Sequence, residues 1–205
     1  MAEFIEFPKI ARFSRDIIVT EKIDGTNSSI FIQHAALEVE EENGLSILHS
    51  DPTILAIKDN YTIRAGSKSK WITPKDDNFG FASWVKMNSD CLFDLGEGHH
   101  FGEWWGSGIQ RVYGLSKADR RFSLFNTVRW GDEGTEKRPD CCSVTPILYQ
   151  GEFCTFKIKE AFEELEKTGS KAAPGFMKPE GIIIYHTAAD MCFKKTFEKD
   201  EGKWF

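Results

Sequence analysis

Residues 19–32 have the sequence VTEKIDGTNSSIFI, and this stretch organises the chain. Its flanks, residues 17–19 and 28–32, are β-branched and apolar, which predicts two strands. Asp24-Gly25 between them is a turn signal, so the sequence predicts a hairpin over residues 17–33. Lys22 is therefore expected at the end of one strand, beside a tight turn, at the mouth of a sheet.

Two interpretations of Lys22 follow from the local pattern. In the first interpretation, the four residues of the form K-x-D-G match a known motif by accident, and the lysine is a solvated residue of a surface hairpin. Alternatively, Lys22 is a nucleophile. A lysine with the reference pKa of about 10.4 is only about 0.1% neutral near pH 7.4, so a nucleophile needs burial or cationic neighbours. The second interpretation requires basic residues and a metal-binding carboxylate elsewhere in the chain.

Size and composition indicate a folded protein with a substantial core. The chain has 205 residues, 40% of them hydrophobic, with 17 Phe and 6 Trp, which argues against disorder. The formal net charge of −6 excludes a nonspecific nucleic-acid coat but leaves room for a local basic cleft. No repeat or low-complexity linker is present, so a single domain over residues 1–205 is expected.

Cysteine usage indicates a reducing compartment. The five cysteines are an odd number without a C-x-x-C pair, and neither they nor the five histidines have the spacing of a zinc site. No signal peptide or long apolar run is present, so we expect no membrane association and a cytoplasmic location. The adjacent pair His99-His100 is expected to form a polar turn before a strand.

Short strands outnumber helices in the predicted element order, which favours an α+β fold with a mostly antiparallel sheet. Asp76-Asp77 is expected to cap a helix over residues 79–87, and residues 155–167 form the clearest helix, stopped by Gly169. The predicted strands beyond the hairpin are residues 45–49, 61–64, 101–105, 122–130, 144–149, 181–185 and 192–197. Residues 38–43 are expected to form an acidic turn, and residues 65–70 a basic loop.

The parts that a nucleophilic lysine requires occur downstream in a fixed order. They are Arg64, Glu103 in FGEW, Phe125 in FSLFN, Glu180 in PEGIII and the pair Lys194-Lys195 in FKKT. Together with Lys22 in KIDG, this ordered set resembles the covalent nucleotidyltransferase superfamily, which contains polynucleotide ligases and messenger-RNA capping enzymes. The resemblance covers nearly the whole chain. Each motif alone is weakly specific, whereas six in order are strongly specific.

The resemblance implies a nucleotidyltransferase fold, similar to ATP-grasp ligases, with mostly antiparallel sheets flanked by helices. It implies that Lys22 attacks the α-phosphate of ATP and carries AMP covalently. Glu180 is implied to bind the nucleotide and a divalent metal, Mg²⁺ or Mn²⁺. Lys194 and Lys195 look like the closing catalytic lysines. In the family these two are usually separated by one residue, and here they are adjacent, so they should face opposite sides of a strand, with Lys194 favoured at the phosphate.

Further residues are implied to hold the nucleotide. Glu103 resembles the acid that accepts hydrogen bonds from the ribose, Phe125 the aromatic residue that stacks on the purine, and Arg64 the arginine that contacts the sugar or phosphate. For Glu103 and Phe125 the alternatives are a charge flanking a strand and a core aromatic. The residues around Lys22 that the resemblance assigns to nucleotide binding are Glu21, Ile23, Asp24 and Gly25. Asn27 is implied to engage the nucleic-acid end.

The RNA ligase branch fits best, because Gly25-Thr26-Asn27 suits it and no C-terminal OB-fold is expected after Lys195. The implied substrate is RNA with 5′-phosphate and 3′-hydroxyl ends, as in a nicked duplex. Basic segments at residues 68–75 and 111–121 are candidate tracks for its backbone, or a solvated rim. The alternatives are a compact DNA ligase, a capping-type guanylyltransferase or a non-catalytic RNA-end-binding module. The small size suits phage RNA ligases, in which case the location is the host cytoplasm, and no particular protein partner is predicted.

Overall fold

A computed structural model describes residues 3–35 and 51–200. The chain divides into two compact units, Met1–Lys22 with Pro146–Phe205, and Ile23–Thr145. We call these the first and the second unit; the expectation of a single domain stays a prediction. The predicted acidic turn at 38–43 and the strand at 45–49 lie outside the described residues.

The first unit is a four-stranded antiparallel sheet covered by one long helix. Its elements are β1 (Asp16–Lys22), β9 (Ile147–Glu152), α4 (Thr155–Thr168), β10 (Gly181–His186) and β11 (Met191–Thr196). The sheet order is β11-β10-β1-β9. Alternate residues of β1 and β10, such as Val19 and Ile182, pack on Leu165 of α4 in a common core. One face of this sheet is therefore occupied by packing.

The second unit is a larger sheet with short helices on one face. The strands are β2 (Thr26–His34), β3 (Ala56–Lys58), β4 (Tyr61–Ser67), β5 (Trp71–Ile72), β6 (Gly98–Gly106), β7 (Arg120–Leu124) and β8 (Ser143–Val144). Their order in the sheet is β3-β4-β2-β6-β7-β8, with β5 paired to β4, and every pairing is antiparallel except β7 with β8. The helices are α1 (Phe81–Met87), α2 (Ser89–Leu92), a 3₁₀ turn (Phe93–Leu95) and α3 (Thr127–Trp130). Ile30, Trp104, Phe122 and Phe81 lie in its core. The predicted α+β class with mostly antiparallel sheets is confirmed.

The helix predicted over residues 155–167 is confirmed almost to the residue, and Gly169 ends it with φ 81°. The apolar spacing of this segment predicts that Phe156, Ala161, Phe162 and Leu165 form the buried face, and Phe156 departs from that prediction. Ile158, Phe162 and Leu165 are buried, whereas Phe156 is 69% exposed. Phe156 precedes the buried Ile158 by two residues, which places it about 200° around the helix axis, on the solvent side. None of the helices in the described ranges is long and apolar enough to cross a membrane.

The predicted hairpin around Asp24-Gly25 is wrong, although both strands exist. β1 pairs with β9 and β10, and β2 pairs with β4 and β6, so the two strands join different sheets. The turn signal correctly marks where the chain changes direction, but it carries no information on pairing partners. The stretch that organises the sequence is thus the connection at which one unit passes into the other.

Several strand boundaries also differ from the sequence prediction. The predicted strand 122–130 is β7 followed by α3, because the Asn126 side chain accepts a hydrogen bond from the backbone N–H of Arg129 and caps the helix. The predicted strand 144–149 is divided at Pro146 into β8 and β9. His99-His100 lies inside β6 rather than in a turn, and β4 continues through residues 65–67, which were expected to be a loop.

Phe156 and Ile158, near the start of α4, give a test of this packing. Ile158→Ala removes buried methyl groups and should lower the free energy of unfolding by about 2–5 kcal/mol. The matched control Phe156→Ala truncates an exposed side chain and should change it by less than about 0.5 kcal/mol. Urea unfolding followed by circular dichroism measures both. Equal losses in the two variants would contradict the observed helix face.

Candidate active site

Lys22 ends β1 with its ammonium against the carboxylate of Glu180. The Nζ to Oε2 distance is 2.6 Å, and the two side chains are 22% and 18% exposed. Both belong to the first unit although they are 158 residues apart in sequence. The pair is thus partly withdrawn from water yet open enough to meet a ligand. The predicted placement of Lys22 at a strand end is confirmed.

Strand register explains how these two residues meet. β1 runs antiparallel to β10, and Lys22 is the partner of Gly181, so the preceding residue, Glu180, comes beside Lys22. Gly181 is also paired with Thr196 of β11 and has φ 154°. A Cβ there would collide with the carbonyl oxygen of Lys195. Only glycine lets β10 begin so close to its neighbours, which explains the Glu-Gly order of the motif.

The same register separates the two adjacent lysines. Lys194 is opposite Ile183, which is opposite Thr20, two residues before Lys22. Because directly paired residues point to one face, Lys194 shares the face of Lys22. Lys195 is on the other face, 9% exposed, with its ammonium 5.4 Å from the ring centroid of Phe162. The prediction that the two lysines face opposite sides agrees with this arrangement.

Glu21 is buried on the helix side of the sheet and holds the segment that follows α4. Its carboxylate accepts hydrogen bonds from the Ser170 hydroxyl at 2.6 Å and from the backbone N–H groups of Lys171 and Ala172 at 2.7 and 2.9 Å. Burial raises the pKa of Glu21, and the three hydrogen bonds partly offset that rise. The carboxylate of Glu21, a residue predicted to bind nucleotide, is thus engaged within the protein, and its backbone N–H donates to the carbonyl oxygen of Pro146 at 2.9 Å.

The turn after Lys22 is fixed from several directions within the second unit. Arg111 donates a hydrogen bond to the Asp24 carboxylate at 3.0 Å, and the Tyr113 hydroxyl accepts one from the Asp24 backbone N–H at 2.7 Å. The Glu103 carboxylate accepts a bond from the Gly25 N–H at 3.0 Å. A Cβ on Gly25 would collide with the carbonyl oxygen of Trp104. Asp24 and Gly25 therefore shape the connection, and Ile23 is buried beside them.

Three predicted site residues share the outer face of the second sheet, opposite its core. Asn27 of β2 is paired with Glu103 of β6, and Phe31 of β2 is paired with Arg64 of β4. Residues 27 and 31 are separated by an even number, so Asn27, Glu103 and Arg64 point to one side. Asn27 is exposed, whereas Glu103 is 6% exposed. The structure therefore brings these three onto one surface.

Arg64 lies inside β4 and not at its end, where it was expected. Its guanidinium donates to Asp51 at 3.0 Å, to Thr53 at 3.1 Å and to Thr62 at 3.3 Å. Hydrogen bonds from Thr53 and then from Arg64 hold the pKa of Asp51 below its usual value. These bonds orient the arginine along the sheet surface.

Phe125 directly follows β7 and is 41% exposed, so the core alternative for this ring is excluded. Its backbone N–H donates to the carbonyl of Phe101 at 3.0 Å, which ties it to the neighbouring strand β6. A ring held by its backbone and open to solvent can offer a face to a flat ligand.

A divalent metal would have to be held with few protein ligands. Across residues 3–35 and 51–200, no three His, Cys, Asp or Glu side chains converge as a metal cluster. Mg²⁺ in nucleotide enzymes is commonly held by one or two carboxylates together with phosphate oxygens and water. Glu180 fits that pattern, because its carboxylate is half-buried beside Lys22.

Many cations of the predicted basic tracks bind groups of the protein itself. Arg111 pairs with Asp24, Arg121 with Asp119, and Lys70 with Asp76. Arg120 donates to the carbonyl oxygens of Ser107 and Phe79. These residues therefore stabilise the loops of the second unit.

Sequence reasoning missed two contributors to the site. Tyr113 and the Ser170–Ala172 segment hold the residues on either side of Lys22, yet neither carries a motif. The sequence marks Arg111 only as a basic residue. Their partners are distant in sequence, so only the folded chain identifies them.

Comparison with known proteins agrees with this geometry. The family model described as RNA ligase matches residues 15–203. The chain belongs to the RNA ligase family. Among curated proteins, none matches the chain.

RNA ligases solved from Naegleria gruberi have the same fold. A variant with ATP and Mn has a TM-score of 0.52 at 17% identity, and the match covers 88% of this chain and 48% of that protein. A second variant, with AMP and Mn, also has a TM-score of 0.52 at 17% identity, with 88% and 49% covered. This chain therefore spans about half the length of the ligases it matches.

The buried Glu21 should make stability depend on pH. A raised pKa means that the folded chain binds this proton more tightly than the unfolded chain does. Its stabilising contribution is complete below the unfolded pKa and is lost as pH rises through the folded pKa. The free energy of unfolding of the parent relative to Glu21→Gln should therefore fall as pH is raised from about 4 to 7. Urea unfolding of both proteins at several pH values measures this difference. A difference that grows with pH would show that the hydrogen bonds outweigh burial.

Proposed function

We propose that the chain is an ATP-dependent RNA ligase that works through a lysyl-AMP intermediate. Lys22 Nζ forms a bond to the α-phosphorus of ATP, the bond from that phosphorus to the bridging oxygen breaks, and pyrophosphate leaves. The AMP then passes to an RNA 5′-phosphate, and an RNA 3′-hydroxyl displaces it to seal the strand. The observation that carries this function is the half-buried Lys22–Glu180 pair in a chain of the RNA ligase family.

Glu180 prepares the lysine for attack. Nζ must lose a proton before it attacks phosphorus, and Oε2 of Glu180 is within hydrogen-bond distance to accept that proton. The pair also fixes the direction of the amine while the nucleotide enters. Lys194, on the face of Lys22, adds positive charge where the phosphates would lie.

A divalent cation, Mg²⁺ or Mn²⁺, would neutralise phosphate charge during transfer, and Glu180 is the residue that we assign to it. Glu180 cannot hold Nζ and a metal through the same oxygen at once. Binding of the nucleotide with its cation would therefore displace from Glu180 both Nζ and the proton that Oε2 had taken from it, and that proton would pass to water, which leaves Nζ as the neutral amine. The Naegleria ligase structures with ATP, AMP and Mn support this choice of ligands.

The remaining assignments concern nucleotide and RNA recognition. Glu103 would accept hydrogen bonds from the ribose, Phe125 would stack on the purine, and Arg64 would contact the sugar or phosphate. The exposure of Phe125 and the shared face of Glu103 and Arg64 support these roles. Asn27, exposed on that face, would contact the RNA end.

The residues next to Lys22 in sequence have buried or structural side chains, which limits their contacts with a nucleotide. We propose that the backbone of Glu21 and Ile23, rather than their buried side chains, borders the nucleotide. Asp24 and Gly25 would keep the connection in shape. An RNA nick with 5′-phosphate and 3′-hydroxyl ends is the proposed substrate. A reducing, cytoplasmic setting is also proposed, and the five free cysteines favour it.

Intact-mass measurement after incubation with ATP and Mg²⁺ tests the first step. The parent should gain one AMP, and acid should release it because a phosphoramidate bond is acid-labile. Lys22→Ala should gain none, whereas the control Lys159→Ala, on the solvent side of α4, should react like the parent. Parallel reactions with GTP and NAD, and with nicked RNA and nicked DNA, separate the ligase from its alternatives. A folded parent that binds nicked RNA but never forms an adduct would support a non-catalytic RNA-end-binding module.

The two adjacent lysines give a second test. Lys194→Ala should slow adduct formation at least about tenfold, because it removes a cation that stabilises charge on the transferred phosphate. Lys195→Ala should retain most of that rate and should instead lower stability, because its ammonium packs over Phe162. Single-turnover rates and urea unfolding of both variants measure these effects. The reverse pattern would assign the phosphate to Lys195.

A further inference from the structure

An aromatic strip crosses the outer face of the second sheet. It consists of Trp71 on β5, Phe31 on β2, and His99 and Phe101 on β6. The rings are stacked in sequence, with centroid distances of 5.7 Å for Trp71–Phe31, 4.1 Å for Phe31–His99 and 5.7 Å for His99–Phe101. The ends are open, with Trp71 40% and Phe101 59% exposed. A contiguous exposed aromatic row of this kind marks a binding surface.

The strip is continuous with the proposed nucleotide residues. Phe31 is paired with Arg64, and Phe101 lies two residues before Glu103 on the same strand and face. At the other side, the backbone N–H of Phe125 donates to the carbonyl of Phe101. The strip therefore leads from the residues assigned to the nucleotide across β6 and β2 to β5.

The composition of this face favours a flat, polar occupant over an apolar protein surface. The partly exposed Gln33 shares the face with Phe31, so a hydrogen-bonding group lies beside the rings. The turn between β4 and β5 carries the exposed Lys68, whose charge suits a phosphate backbone, whereas Lys70 in the same turn pairs with Asp76. Nucleobases stack on aromatic rings whatever their sequence, because every base has a flat π-face.

We propose that the aromatic strip stacks unpaired bases in a single-stranded stretch of the RNA outside the nicked duplex, an inference that rests on the proposed ligase function. Trp71 and Phe101 supply the open ring surfaces, while Phe31 and His99 hold them in line. The strip thus binds single-stranded RNA through its bases, whereas the contacts proposed for Lys22 and Lys194 are to phosphate.

Fluorescence anisotropy with a labelled single-stranded oligoribonucleotide, without ATP, tests this surface. A matched oligomer that carries abasic sites reports binding through the backbone alone. The parent should bind the base-bearing RNA more tightly than the abasic one. Trp71→Ala with Phe101→Ala should raise the Kd for base-bearing RNA by about tenfold or more and remove most of that preference.

Three comparisons make the outcome decisive. Phe156→Ala, an exposed phenylalanine on α4, should bind like the parent. The conservative pair Trp71→Phe with Phe101→Tyr should restore the Kd, which separates stacking from a folding defect. A Kd in the double alanine variant equal to that of the parent, or a parent without preference for bases, would overturn the inference. AMP-adduct formation is measured on the same protein preparations in separate reactions with ATP and Mg²⁺. Its absence in the parent contradicts the ligase function, while the RNA-binding comparison still decides the strip.

Discussion

The antiparallel register of β1 and β10 is the constraint on which the proposed chemistry depends. It pairs Lys22 with Gly181 and so brings Glu180 to 2.6 Å from Nζ. The register is held by apolar packing, because Val19 and Ile182 lie between the sheet and α4. A slip by one residue would bury Lys22 under the helix and expose Glu21. Packing of the first unit therefore positions the reactive pair, even though no core residue takes part in the reaction.

Local signals predicted much of this arrangement. Alternation and β-branched residues located the strand that ends at Lys22, and the apolar spacing with Gly169 located α4. The order of motifs along the chain identified Lys22 and Glu180 as candidates before their contact was known. Each strand, helix and motif depends on a few neighbouring residues, which is why the sequence alone could specify them.

Features that depend on distant partners were not predictable. Nothing near Asp24-Gly25 shows that β1 pairs with strands that follow residue 146, whereas β2 pairs with β4 and β6. Phe122 to Trp130 has a strand-like composition, yet Asn126 accepts a backbone bond and starts a helix there. The Glu21 hydrogen bonds span about 150 residues, so the carboxylate could equally have been a ligand-binding group. Tertiary contacts override local preference at these positions.

The alternation of side chains along a strand explains how each sheet, taken by itself, places its packing residues on one face and its candidate functional residues on the other. In the first, Glu21 and Lys195 lie on the packed face, whereas Lys22 and Lys194 lie on the other. In the second, Ile30 and Trp104 are in the core, whereas Asn27, Glu103 and the aromatic strip face outward. Adjacent residues of the same chemical type therefore have different tasks. The same rule gives the consequence of having two adjacent lysines where the family usually has a spaced pair. One strand can present only one of two neighbouring lysines to a phosphate.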